Sequence, residues 1–133
     1  MRPGHDAFHL AIPTRDLDEA DRFYREGLGC HLARRYDDRI TFDFFGDQLV
    51  CHLSERWDRD LGDLYPRHFG VTFHRREDFD AVLFLAETRE LQFFRPAQPR
   101  FKDMVEEHIT FVVADPSNNL IEFKHYRDAR MMH

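Results

Sequence analysis

The chain has 133 residues, of which 42% are hydrophobic and 33% charged, with a formal net charge of −6. That acidic balance excludes the basic face on which phosphate-backbone binding depends. No apolar run approaches the roughly 20 residues of a spanning helix, so neither nucleic acid nor membrane is an expected partner. Fourteen Phe supply material for a real core, and the length suits one domain or two small, closely packed repeats. Cys30 and Cys51 are far apart and form no Cys-x-x-Cys pair. They point to a reducing compartment, with neither a disulfide framework nor a thiolate zinc site. The N-terminus, Met1 to Asp6, lacks a basic-then-apolar signal pattern, so the expected location is cytoplasmic.

In chain order, Phe8 to Ile12 alternates, with Phe8, Leu10 and Ile12 on one face and His9 and Ala11 on the other, which predicts a strand. Asp16 is a helix N-cap with Glu19 three residues on. Leu17, Ala20, Phe23 and Tyr24 form one helical stripe, ended by Gly27 and Gly29. Leu32 to Tyr36, Ile40 to Phe45 and Gln48 to Leu53 read as three strands, the last two joined by a turn at Gly46-Asp47. A polar stretch without clear period, 54–66, reads as a linker between modules spanning 6–54 and 66–127. The pattern then restarts. His68 to Phe73 alternates, and Asp78 to Leu91 carries Phe79, Val82, Leu83 and Ala86 on a helical stripe. A strand at Phe93-Phe94 must be short or lie at an edge, because Pro96 and Pro99 follow. Ile109 to Lys124 reads as a hairpin around Asp115-Pro116-Ser117-Asn118-Asn119.

Both halves therefore read β-α-β-β-β, and Ile40-Thr41-Phe42 recurs as Ile109-Thr110-Phe111. The fold class expected is α+β: two βαβββ modules packed together, with mixed sheets and the helices outside. His9 and His68 occupy the two opening strands, and His52 and Glu122 the two closing strands. All four are out of phase with the apolar positions of their own strands. Side chains alternate faces along a strand, so the four project away from the helices. Three imidazoles and a carboxylate there have the donor set of a zinc, iron, manganese or nickel site. A lone strand histidine is more often simply solvated, and His5, His31, His74, His125 and His133 are read that way, with His108 open to either reading. The matching phase in both halves favours metal for the other four.

Phe8-His9-Leu10-Ala11-Ile12-Pro13, then Asp16-Leu17 through Phe23-Tyr24 and Gly27-Leu28-Gly29, resembles the opening of vicinal oxygen chelate proteins. That superfamily includes glyoxalase I, extradiol dioxygenases and the fosfomycin and bleomycin resistance proteins. Arg67-His68-Phe69-Gly70-Val71 and Asp115-Pro116-Ser117-Asn118-Asn119 through Glu122-Phe123-Lys124 resemble its second module. The resemblance implies a cup-shaped mixed sheet around a divalent metal (Fe, Zn, Ni or Mn), held by His9, His52, His68 and Glu122. Glyoxalase I has a carboxylate at the position matching His52, a departure toward the two-His-one-Glu set of iron-dependent members. The activity implied is glyoxalase-like lyase or isomerase chemistry on a small oxygenated substrate, with Glu122 or His52 as general base. The alternatives are an Fe(II)-dependent extradiol-type dioxygenase and a non-catalytic small-molecule binding or antibiotic-resistance protein. A homodimer is the implied assembly. Arg35, Arg100 and Lys102 are candidates for gripping an acidic substrate group, and Phe45 and Phe94 for lining the cup; each has a plain surface or core reading beside it.

Overall fold

The computed structural model describes residues 4–133, so the first three residues of the N-terminus considered above lie outside the described residues. The chain forms two compact units: the residues up to Asp60 together with Pro116–Asn118, and Leu61–Asp115 together with Asn119–His133. In the first unit, β1 (His9–Thr14) leads to α1 (Leu17–Asp21), which widens into a π-helical turn at Arg22–Gly27. Then follow β2 (His31–Arg35), β3 (Arg39–Phe44) and β4 (Asp47–Leu53). The second unit repeats the order with β5 (Phe69–Thr72), α2 (Arg76–Thr88), β6 (Phe93–Arg100), β7 (His108–Ala114) and β8 (Leu120–Tyr126), and ends in a 3-10 turn at Ala129–Met132. Each unit holds one four-stranded mixed sheet, ordered β1-β4-β3-β2 and β5-β8-β7-β6. The first and last strands of each module are parallel neighbours, and the other pairs are antiparallel.

Local chemistry explains these elements. The Asp16 carboxylate accepts the Glu19 backbone N–H at 2.8 Å, as an N-cap does. The reciprocal half of the box is missing, because Glu19 turns outward to Arg15, at 2.7 and 3.0 Å. The helix widens after Asp21, where the Leu28 N–H reaches back five residues to the Phe23 carbonyl. Nothing in the apolar spacing marks that widening. Leu17, Ala20, Phe23 and Tyr24 are buried as the stripe predicts, with Tyr24 packed on Phe42 at 5.3 Å. In the second unit Phe79, Phe111, Ile121 and Phe123 are fully buried on the helix side of the sheet. Both cysteines are free and buried, and burial first, then the charge of Asp43, pushes the Cys30 thiol up to about 12.

The strand that begins at Phe93 lies at the sheet edge, as its prolines require, and runs for eight residues, with shifts of register around Arg95 accommodating both prolines. The polar stretch 54–66 does more than connect. Leu64 is 3% exposed and packs with Val112, Ala114, Leu120 and Phe94 on the sheet face opposite α2. Proline and charge hid a single core residue there.

A candidate metal and substrate site in the second unit

Register places the candidate ligands. Gly70 pairs with Glu122 and Thr72 with Lys124 across β5 and β8, so His68, Gly70, Thr72, Glu122 and Lys124 share one face of the sheet. Phe69, Val71, Ile121 and Phe123 take the other. His68 Nε2 stands 3.1 Å from Glu122 Oε1. The rear atoms of both side chains are anchored. His68 Nδ1 lies 2.7 Å from the Leu64 carbonyl, which can only accept, so Nδ1 carries the proton and donates. The buried Thr110 hydroxyl donates to Glu122 Oε2 at 2.6 Å. Tyr65 meets the His68 ring edge-on at 5.6 Å.

With Nδ1 donating, a neutral imidazole would set its Nε2 lone pair against a carboxylate oxygen, two acceptors across 3.1 Å. Only a cation between them, a proton or a metal, makes that geometry favourable. Two donors of one divalent ion, each about 2.1 Å from it, lie about 3 Å apart, so the spacing fits two positions of such an ion. The Leu64 carbonyl behind Nδ1 is the orienting contact that ligating histidines usually have. His68 and Glu122 therefore fit a divalent metal as a pair. A cavity of about 160 Å³ opens beside them, with Gly70, Thr72 and Lys124 on its wall.

Gly70 makes this closeness possible. A Cβ there would overlap the Glu122 carbonyl oxygen and come within 2.6 Å of its carbon and 2.9 Å of its nitrogen. The backbone of β5 approaches β8 more tightly than any other residue permits.

In the first unit His9 and His52 share the face opposite the helix, but the sheet does not bring them together. His9 pairs with Gln48, and His52 lies four positions further on, opposite Pro13. That is about 13 Å along the strand. The hairpins explain why. Thr41 pairs with Val50 while the repeated Thr110 pairs with Lys124. Counted from these threonines Glu122 aligns with Gln48, and counted from His9 and His68 across the parallel pairs it aligns with Val50, so the two modules differ in register between opening and closing strands. The β3–β4 turn has two residues, Phe45 and Gly46, against five in the β7–β8 turn, and phase alone does not count them. Among the described residues of either unit, no group of three His, Cys, Asp or Glu side chains is arranged to hold a metal.

The remaining candidates have other occupations. Arg35 pairs with Asp18 at 2.8 Å. Phe45 is a turn residue with φ of 54°, its ring edge-on to Phe44 at 4.9 Å. Phe94 packs against the Leu64 cluster, on the Glu122 face. Arg100 lies over Phe101 at 5.6 Å, and Lys102 is exposed in the turn after β6. Sequence reasoning missed Leu64, Gly70, Thr110 and Lys124. Alternation alone places Lys124 on the Glu122 face, and the repeated Ile-Thr-Phe points at Thr110; nothing local marks the Leu64 carbonyl.

Comparison with known proteins agrees with this architecture. The chain belongs to the Glyoxalase/Bleomycin resistance protein/Dioxygenase superfamily, whose profile matches residues 7–123. It is similar over its whole length to a glyoxalase/bleomycin resistance protein/dioxygenase from Alicyclobacillus acidocaldarius, at 60% identity, 100% coverage of both chains and a TM-score of 0.95. A lactoylglutathione lyase from Agrobacterium tumefaciens shares the fold at 19% identity, covering 90% of this chain and 92% of its own, with a TM-score of 0.67. So does a genomically encoded fosfomycin resistance protein from Listeria monocytogenes, at 15% identity, the same coverages and a TM-score of 0.69. No protein of curated function matches the chain. No helix among the described residues is long and apolar enough to cross a membrane.

Proposed function

We propose that this chain is a divalent-metal-dependent enzyme that takes hold of a small substrate through two vicinal oxygens and carries out glyoxalase-like lyase or isomerase chemistry. One observation carries the reading: His68 Nε2 and Glu122 Oε1 stand 3.1 Å apart beside an open cavity, each held from behind by a second hydrogen bond. When bound, Fe, Zn, Ni or Mn supplies Lewis-acid polarisation of a substrate oxygen. His68 and Glu122 hold it, and the bond to Leu64 fixes which imidazole nitrogen faces the cavity. Glu122 is also the candidate base for a substrate carbon: Thr110 holds Oε2, so Oε1 is the oxygen that would exchange the ion for the proton. The wall formed by Leu64, Val112 and Leu120 shields one side of the carboxylate from water and strengthens its interactions.

Metal analysis tests the proposal. The wild-type protein, reconstituted with each ion in turn, should bind close to one equivalent. His68→Ala should lose most of it, since even loss of a group that only orients a ligating histidine commonly weakens affinity by tenfold or more. His9→Ala and His52→Ala, measured alongside, decide whether first-unit histidines contribute. Wild-type protein without stoichiometric metal after reconstitution would sink the proposal. A cytoplasmic homodimer belongs to the same reading. Light scattering should return twice the 16.1 kDa chain mass, and a monomer at all concentrations would remove that part.

A further inference from the structure

Lys124 is a half-buried cation on the wall of the cavity, two residues from Glu122 and on the same face of β8. Among the described residues several other cations sit against a carboxylate, as Arg25 does with Asp21 at 2.7 Å, Arg76 with Asp80 at 2.9 Å and Arg127 with Glu107 at 3.4 Å. Lys124 does not. Its ammonium lies 5.5 Å from the Tyr126 ring, and no carboxylate reaches it among the described residues, Glu122 included. An ammonium with no carboxylate partner, on a half-buried residue that lines a cavity, is a ready point for an anionic ligand group to bind. Thr72, its register partner on β5, sets a hydroxyl-bearing residue on the same wall. Residues i and i+2 of a strand have Cα atoms about 7 Å apart, so Glu122 and Lys124 leave the sheet as neighbours on one face.

We infer that Lys124 is the anion-binding residue of this cavity, and that the substrate is a small acid whose vicinal oxygens meet His68 and Glu122 while its carboxylate or phosphoryl group meets Lys124. The inference rests on the proposed function for the oxygen end only. Lys124 is a specificity-determining residue here, apart from the metal pair. It replaces the cations favoured on sequence grounds, of which Arg35 is already paired with Asp18 and Lys102 lies in an exposed turn. The cavity, at about 160 Å³, is smaller than those that enclose drug-sized ligands, so the acid is small.

The probes are glutaric acid monohydroxamate, its phosphonate-ended analogue and its neutral terminal amide, titrated calorimetrically into metal-loaded wild type, Lys124→Met and Lys124→Arg. Wild type should bind one of the two charged probes about tenfold or more tighter than the amide, a preference that weakens with salt. Whichever charged probe binds tighter identifies the anion as carboxylate or phosphoryl. Lys124→Met should bind all three alike while keeping its full metal content, and Lys124→Arg should restore the preference in part. A wild type that does not distinguish charged from neutral probes, or a Lys124→Met variant that keeps the preference, overturns the inference and leaves the metal reading standing. If wild type holds no metal, the metal reading fails by itself. Inorganic phosphate titrated into the metal-free protein then decides the matter for Lys124, through NMR shifts that should vanish in Lys124→Met; phosphate binding unaffected by that substitution, or absent altogether, overturns it.

Discussion

Gly70→Ala should destabilise the second unit by about 3 kcal/mol or more and abolish metal binding in one step. The added methyl does not meet the tip of a flexible side chain, which could swing aside. It overlaps the carbonyl of Glu122 and crowds that residue's backbone carbon and nitrogen at 2.6 and 2.9 Å. Relief therefore requires β5 and β8 to separate, and their pairing is short, only Phe69–Thr72 against Ile121–Lys124. Separation breaks the ladder and moves His68 away from Glu122, since His68 directly precedes β5 and Glu122 lies on β8. A control is available in the same unit. A Cβ at Gly62 meets nothing within 4 Å, so Gly62→Ala should stay within about 0.5 kcal/mol of wild type. Urea unfolding of both variants, read with metal content, gives the comparison. A Gly70→Ala protein as stable as Gly62→Ala would mean that the strands do not approach so closely.

The same glycine shows what sequence can carry and what it cannot. Period-two alternation locates β1, β4, β5 and β8 to within a residue or two, because a half-buried strand must alternate, and it assigns Glu122 to the right face. Asp16 announces the first helix by its own hydrogen bond. Phase, however, fixes a face and not a height along the strand. The height of His9 against His52 depends on how many residues the intervening turns consume, and a two-residue turn at Phe45-Gly46 slides β4 relative to the plan of the second half. Contacts made by backbone atoms are equally silent. The Leu64 carbonyl that orients His68, like the close approach at Gly70, is made by a group every residue possesses. Side-chain identity can only hint at it, through the absence of a Cβ. Lys124 was legible and passed over, because a lysine on a strand in a charge-rich chain reads as solvated until its neighbours are known.

Phe123→Ala should cost about 3–5 kcal/mol, the range for truncating a large buried aromatic side chain. Phe123 is fully buried, stacked 6.0 Å from Phe73 and 5.1 Å from Phe111, and Phe111 in turn meets Phe79 of α2 at 5.4 Å. The cavity left behind lies on the opposite side of the sheet from Glu122, so the ring touches neither His68 nor any metal. Metal affinity should nevertheless fall. Phe123 is the next residue after Glu122, and the pleat that aims the carboxylate at His68 is held flat by the ring anchored beneath it. Phe123→Leu, which keeps much of the volume, should cost less than half as much and spare the affinity. Because Phe111 and Phe123 share one packing site, the double alanine variant should lose less than the sum of the single variants, with a coupling of about 0.5–3 kcal/mol. Additive losses with unchanged metal affinity would mean that β8 is fixed by its ladder alone, and that the aromatic core stabilises the unit without positioning Glu122.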